Sequence, residues 1–453
     1  MQKILFRLLI FNITFAVVPC FADNDNLLRQ LTGGVKVEAD GTVRAATNEE
    51  LQAAGQWLTS VMQPLPPGLA KDNTPADKNS ASVLRKISLK KLDAAVRTVV
   101  EEKGEFSDAV RYLGGLTSIQ YIVAVPDEND IILAGPAEGW TTDNNGNVIG
   151  KESRMPVLSL EDFLVLFRLW NGSEKQKIVA CSFDLTQEAE TKINQIHRDF
   201  TGISADNADA FAVALEQAHG NLQITLTGVA ATSRLAKILV AADFKMKQYA
   251  LGLEPAPVRT LPSYASLITD KSPEIPTRFY LTAEYAQVLH DSAKLTWQLG
   301  ETPRCQPKVK VLTEYDYQRG RITPPLSKAS VRPDRAAMNW SSKFETQYDA
   351  IAKKQPVFNV LKDNMHLALA AALIHQEQLL RKANCPLPML SGSSTADRKL
   401  RSLNYPKPLS VPSRSAVTKN GYATVVVCGG IEINPVAALQ KSRLESKIDK
   451  DRS

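Results

Sequence analysis

The stretch from Ile178 to Gly252 constrains the fold most. Ile178-Val179-Ala180-Cys181-Ser182-Phe183 is an apolar run of strand length. Thr186 caps a helix reaching about Phe200, and a second helix runs from about Ala205 to Ala218 before His219-Gly220. Leu222, Ile224 and Leu226 then share one face of another strand. Thr232 or Ser233 caps a long helix with Leu235, Ile238, Leu239, Ala242, Met246 and Tyr249 on one side. Gly252 ends it, and Pro255 and Pro257 prevent its restart. Strand, helices, strand, helix over about 177–252 predicts a crossover unit within a mixed sheet.

The flanking sequence makes the class α+β. Hairpins are predicted at about 118–150: Ile119, Tyr121, Val123 and Val125 alternate, Pro126-Asp127-Glu128-Asn129 turns, and Asp130 to Ala134 returns. Asp143-Asn144-Asn145-Gly146-Asn147 marks a second turn. Ser88 is the N-cap of a helix that carries Leu89, Leu92, Val96 and Val99, with Asp93 and Arg97 as an i,i+4 pair. Ser159 with Asp162 resembles a capping box for a helix from Leu160 to Trp170. Residues 341–382 read as helical with a break at Pro356, and Met365 to Ile374 are apolar nearly all round, the pattern of a buried helix. The main core is placed at 83–385. Residues 23–82 read as a peripheral segment and linker, with a hairpin around Asp40-Gly41. Residues 386–453 read as an irregular segment, a terminal strand and a charged tail. Gly33-Gly34-Val35-Lys36-Val37 and Gly429-Gly430-Ile431-Glu432-Ile433 echo each other, which leaves open either pairing of the two ends or chance.

Residues 1–22 read as an address. Lys3 and Arg7 precede a mostly apolar run from Leu8 to Val18, and Ala22 stands before Asp23-Asn24-Asp25-Asn26, a secretory signal pattern with cleavage after Ala22. No later run of 18 apolar residues follows, so the remaining chain is expected in the periplasm or medium with no transmembrane span. The net charge of +6 is too mild to predict a nucleic-acid partner. Cys181, Cys305, Cys385 and Cys428 remain after cleavage. An oxidising compartment permits three full pairings among them, and buried free thiols are the other reading.

Complete cofactor and metal motifs are missing, so no cofactor and no metal site is expected. Asp143, Asn145 and Asn147 start a calcium-loop spacing, but Arg154 stands where a Glu is needed. Gly228 to Ser233 joins a strand to a helix without a Gly-Lys pair. His197, His219, His290, His366 and His375 form no metal-ligating pair in sequence. Two stretches stand out. Gly135-Pro136-Ala137-Glu138-Gly139-Trp140 presents one carboxylate and one indole at a strand end, as carbohydrate sites do, although glycoside hydrolysis normally needs a second carboxylate. Asp243 and Lys247 lie one helical turn apart beside the apolar stripe of the long helix. Glu138, Trp140, Asp243 and Lys247 are therefore the candidate binding residues; no catalytic residue is assigned.

These stretches also carry a resemblance. Asp130 to Trp140, and Leu235-Ala236-Lys237-Ile238-Leu239-Val240-Ala241-Ala242-Asp243-Phe244-Lys245-Met246-Lys247 with Gly252-Leu253-Glu254-Pro255 and Leu261-Pro262-Ser263-Tyr264, resemble an uncharacterised family of exported bacterial proteins prominent in planctomycetes. Leu84-Arg85-Lys86-Ile87-Ser88-Leu89 is similar too, and the likeness runs from about 31 to 435. It implies an exported protein of one architecture and brings no activity, cofactor or catalytic residue. The leading expectation is a noncatalytic envelope protein that binds a protein or polymer. The alternative is an envelope hydrolase using Glu138 or Asp243.

Overall fold

The computed structural model describes residues 27, 29–61, 81–102, 104–143, 147–172, 177–186, 188–189, 191–192, 195–196, 206–269, 277–299, 305–311, 335–392, 405–417, 423–424 and 426–444. The predicted signal segment, most of the linker and the charged tail lie outside them. In chain order come β1 (Leu31–Thr32), β2 (Val35–Val37), β3 (Val43–Ala45), α1 (Asn48–Val61), β4 (Ser82–Ser88), α2 (Leu89–Glu102), β5 (Tyr121–Val125), β6 (Asp130–Ala137), β7 (Trp140–Thr142), β8 (Val148–Gly150) and α3 (Leu160–Asn171). Next are β9 (Val179–Asp184), α4 (Ala208–His219), β10 (Asn221–Thr227), α5 (Arg234–Leu251), β11 (Thr277–Tyr285), β12 (Leu289–His290), β13 (Thr296–Gln298) and β14 (Cys305–Val311). The chain ends with α6 (Arg335–Thr346), α7 (Tyr348–Lys354), α8 (Pro356–Gln376), β15 (Ser410–Pro412), β16 (Ala416–Val417), β17 (Ala423–Thr424), β18 (Val426–Ile433) and β19 (Arg443–Leu444).

The fold is α+β, as predicted. One six-stranded sheet has the order β14-β11-β18-β9-β10-β15, and a second has β19-β12-β13-β5-β6-β4. Both are mixed: β11 with β18 and β12 with β19 run parallel, and the other pairs in them are antiparallel. α5 packs on β9 and β18, while α8 lies against α3, α5 and α7. Alternation puts Val179, Cys181, Phe183, Phe279, Leu281, Ile431 and Ile433 into the core, which they share with Phe163, Phe167, Trp340 and Phe358 of the helices. The predicted hairpin turns form: Asn129 takes the left-handed conformation after Pro126–Glu128, and Asp143 accepts from the Asn147 backbone and side-chain amides at 2.8 Å each. Pro356 sits at the start of α8, so the break predicted there is the gap between α7 and α8. α8 has the length and composition to cross a membrane, and most of it is buried inside the protein.

Four expectations need correction. The crossover is not parallel: β9 and β10 are antiparallel neighbours. Residues 188–189, 191–192 and 195–196 are helical ahead of α4, so two helical segments separate the strands. One helix carries the chain to the far end of a sheet, whereas an outgoing and a returning helix bring it back to the end it left, which demands an antiparallel partner. The N-terminal segment is not peripheral either. Val35, Val37 and Val43 alternate onto one face of their hairpin and are buried in the common core. The C-terminal strand is central rather than appended, since β18 lies between β11 and β9, and the two Gly-Gly echoes fall in different sheets. Ser159 makes no side-chain capping bond, and the Asp162 carboxylate pairs with Arg234.

Candidate functional site

Glu138 follows β6, and its carboxylate is a brace. It accepts from the backbone N–H of Glu152 at 2.6 Å and of Ser153 at 3.0 Å, and from the Ser153 hydroxyl. Gly150 lies so close that a Cβ there would overlap the carboxyl group. Glu138 thus fixes the turn after β8, and only 6% of it is exposed. Trp140 stands edge-on to Tyr112, with centroids 5.7 Å apart. Glu138 is turned onto the 152–153 backbone, and Trp140 is half-buried against Tyr112.

Asp243 and Lys247 do meet, as an i,i+4 ion pair on α5, and Asp243 has no exposed surface. Lys247 also donates to the Gly429 carbonyl at 3.3 Å and sits 4.0 Å above the Phe183 ring. Burial raises the Asp243 pKa against the pull of Lys247, and burial with the Asp243 charge nearby raises that of Cys181 well above the thiol range. The pair therefore pins α5 to β9 and β18. Lys247 reaches the wall of a small open hollow with Phe183, Leu222, Phe244, Val411 and Arg414. Among the described residues Glu138 and Asp243 share no hydrogen-bond partner.

A third cluster, unforeseen in the sequence, gathers at the N-terminal end of α5. Ser233 caps the helix by accepting from Ala236 N–H at 3.2 Å. Arg234, half-buried, pairs with Asp162 of α3, which also accepts from Asn364 of α8 at 3.1 Å. The second oxygen of Asp162 and the side-chain oxygen of Asn364 are buried with no hydrogen-bond partner among the described residues. Neighbouring Glu161 accepts from the Tyr405 hydroxyl at 3.0 Å and from the Arg234 backbone N–H. Lys237, 2% exposed, donates to the carbonyls of Arg29 and Leu31, the latter at 3.1 Å, and lies 4.5 Å from the Tyr405 ring centre. Burial and the Asp162 charge push the Glu161 pKa up to about 7, while burial and Arg234 bring Lys237 down to about 7. Two groups poised near neutrality thus share one partly open cluster, beside exposed Thr232. Such clustering is typical of functional sites. A signal for it existed. Ala236, Val240 and Ala241 fill the face of α5 opposite its apolar stripe, so nearly all of the helix is buried and its lysines with it.

The remaining chemistry-bearing residues serve the fold. His366 meets the Ile119 carbonyl, His219 the Leu215 carbonyl and His290 the Asp291 carbonyl. Burial lowers the His375 pKa to about 4. His197 lies outside the described residues, and among the described residues no group of His, Cys, Asp and Glu could hold a metal. Cys181 and Cys385 are buried free thiols; the side chains of Cys305 and Cys428 lie outside the described residues.

Comparison with known proteins adds one positive finding. No curated protein and no solved structure matches the chain. Residues 181–264 match a family described as protein of unknown function, DUF1598. The match begins within β9 and runs through α4, β10 and α5, a far shorter span than the likeness predicted from about 31 to 435. It contains Asp243, Lys247, Arg234 and Lys237, but neither Glu138 nor Trp140, so the chain carries a domain of unknown function that takes in all of α5.

Proposed function

We propose that the protein is a noncatalytic, exported component of the cell envelope that binds a protein or polymer. The observation that carries this reading is the state of the two carboxylates that chemistry would need. Glu138 spends both oxygens on the 152–153 turn, and Asp243 is sealed against Lys247 with no exposed surface. Neither can reach a substrate atom, and geometry is the first requirement of an acid or base. Export rests on residues 1–22, and the wider likeness to exported proteins prominent in planctomycetes belongs to the same reading. A photocrosslinking residue at exposed Thr232, with one at exposed Glu101 as control, tests it in living cells. One recurrent envelope adduct from position 232 alone supports the binder; recovery at monomer mass from both positions defeats it.

The poised Glu161–Lys237 cluster favours a second reading. An envelope hydrolase on this chain uses Glu161, partly open and held near neutrality, in place of Glu138 or Asp243. Glu161→Gln then abolishes turnover of an envelope polymer with the fold intact, whereas a binder retains its adduct at position 232.

A further inference from the structure

We propose that the N-terminal strap, residues 29–32, is an acid-released latch: protonation of Lys237 beneath it frees the strap while the rest of the fold stays closed.

The latch follows from the surroundings of Lys237. Its amine is buried on α5 and forms no ion pair among the described residues. Among the described residues its polar contacts are two neutral carbonyls, those of Arg29 and Leu31, and one ring face, that of Tyr405. The titratable groups around it are Arg234 on its own helix, Glu161 and Asp162 on α3, Tyr405, and Arg29 in the strap. Arg234 opposes a charge on Lys237 and Glu161 favours one, with burial the largest influence. A buried ammonium without a carboxylate partner is unstable relative to one in water.

The direction is set by linkage. With the strap closed Lys237 titrates near 7, and with the strap lifted the amine meets water and returns toward its ordinary value of 10.5. The open form therefore holds more protons between these limits, and opening becomes easier as pH falls. Only the strap can lift cheaply. β1 is two residues long and, among the described residues, pairs with β2 alone. The rest of its sheet is fastened: Val35, Val37 and Val43 sit in the core, Gln355 donates to the Gly33 carbonyl at 2.7 Å, and Lys36 pairs with Glu50 at 2.8 Å.

Hydrogen–deuterium exchange of the purified protein at pH 5.5 and 8.5, corrected for intrinsic exchange, tests the latch. The peptide covering 29–36 is expected to exchange about thirtyfold faster at pH 5.5, with core peptides of α8 unchanged. Lys237→Met is expected to give one slow rate at both pH values. Lys237→Gln, uncharged and still able to donate to the strap carbonyls, is expected to do the same should the first variant not fold. Equal rates at the two pH values in the wild type, or a pH response that survives in the folded Met or Gln variant, overturns the proposal.

Discussion

At the residue scale, buried carboxylates in this protein mostly hold loops. Asp93 accepts from the Met389 and Leu390 amides at 2.8 and 2.9 Å, Asp291 from Leu295 at 2.7 Å, and Asp130 from Lys90 at 3.0 Å, where it helps Ser88 start α2. Glu138 belongs to this set. Glu138→Ala orphans the Glu152 and Ser153 amides and is expected to cost about 2–3 kcal/mol in urea unfolding, with an unchanged midpoint the contrary result. Asp243 behaves differently because its partner is a charge. Asp243→Asn leaves Lys247 buried and unpaired, a loss of about 3–5 kcal/mol. Asp243→Asn with Lys247→Met should recover much of that loss, and a double-mutant cycle measures the recovery. Sequence alone placed Asp243 and Lys247 one turn apart and so in contact. It did not reveal that Glu138 would be consumed by a turn 14 residues further on, because a carboxylate's acceptors are filled by backbone that only the tertiary fold brings near.

At the scale of elements, strands and helices with strong local signals were legible, and their pairing was not. Thr232 or Ser233, the apolar stripe and Gly252 define α5 from the sequence pattern, and the structure runs it from Arg234 to Leu251 with Ser233 as its cap and Gly252 left-handed at its end. The direction of β10 and the central place of β18 depend on residues far apart in the chain, so local periodicity carried no information on them. One clue to β18 was present. Gly429-Gly430 inside an apolar run marks a close backbone approach. A Cβ on Gly430 would overlap the Cys181 carbonyl of β9, and one on Gly429, at φ +110°, the Phe279 carbonyl of β11. Gly430→Ala must therefore push β18 from β9 in the middle of the sheet. The expected cost is about 3 kcal/mol, read as a lowered denaturation midpoint. An undisturbed midpoint would mean that β18 is not clasped between its neighbours.

At the scale of the whole molecule, the cluster joining α3, α5, the Tyr405 segment and the N-terminal strap makes stability depend on pH with two opposite slopes. Glu161 titrates near 7 in the folded chain and near 4.5 when unfolded, so the folded state holds the extra proton between these values. Its contribution to stability falls as pH rises through that window. Lys237 titrates near 7 folded and near 10.5 unfolded, so the unfolded chain holds the extra proton above 7, and its contribution rises with pH there. The wild-type curve hides the acid limb, because His375, lowered to about 4 by burial, adds a rise from about 4 to 6.5 over much of the same range. Differences between variants and wild type cancel His375 and expose each limb. Glu161→Gln is expected to gain on the wild type steadily from pH 4.5 to 7 and to hold that gain above it. Lys237→Met is expected to hold its gain up to pH 7 and lose it steadily toward pH 9.5, the end of the range clear of tyrosine titration. Urea midpoints at half-unit steps measure both curves. The two slopes must have opposite signs and meet near neutrality, since a carboxyl and an amine are displaced toward the same pH from opposite sides. Slopes of one sign would mean that the two groups do not share the buried cluster at the head of α5.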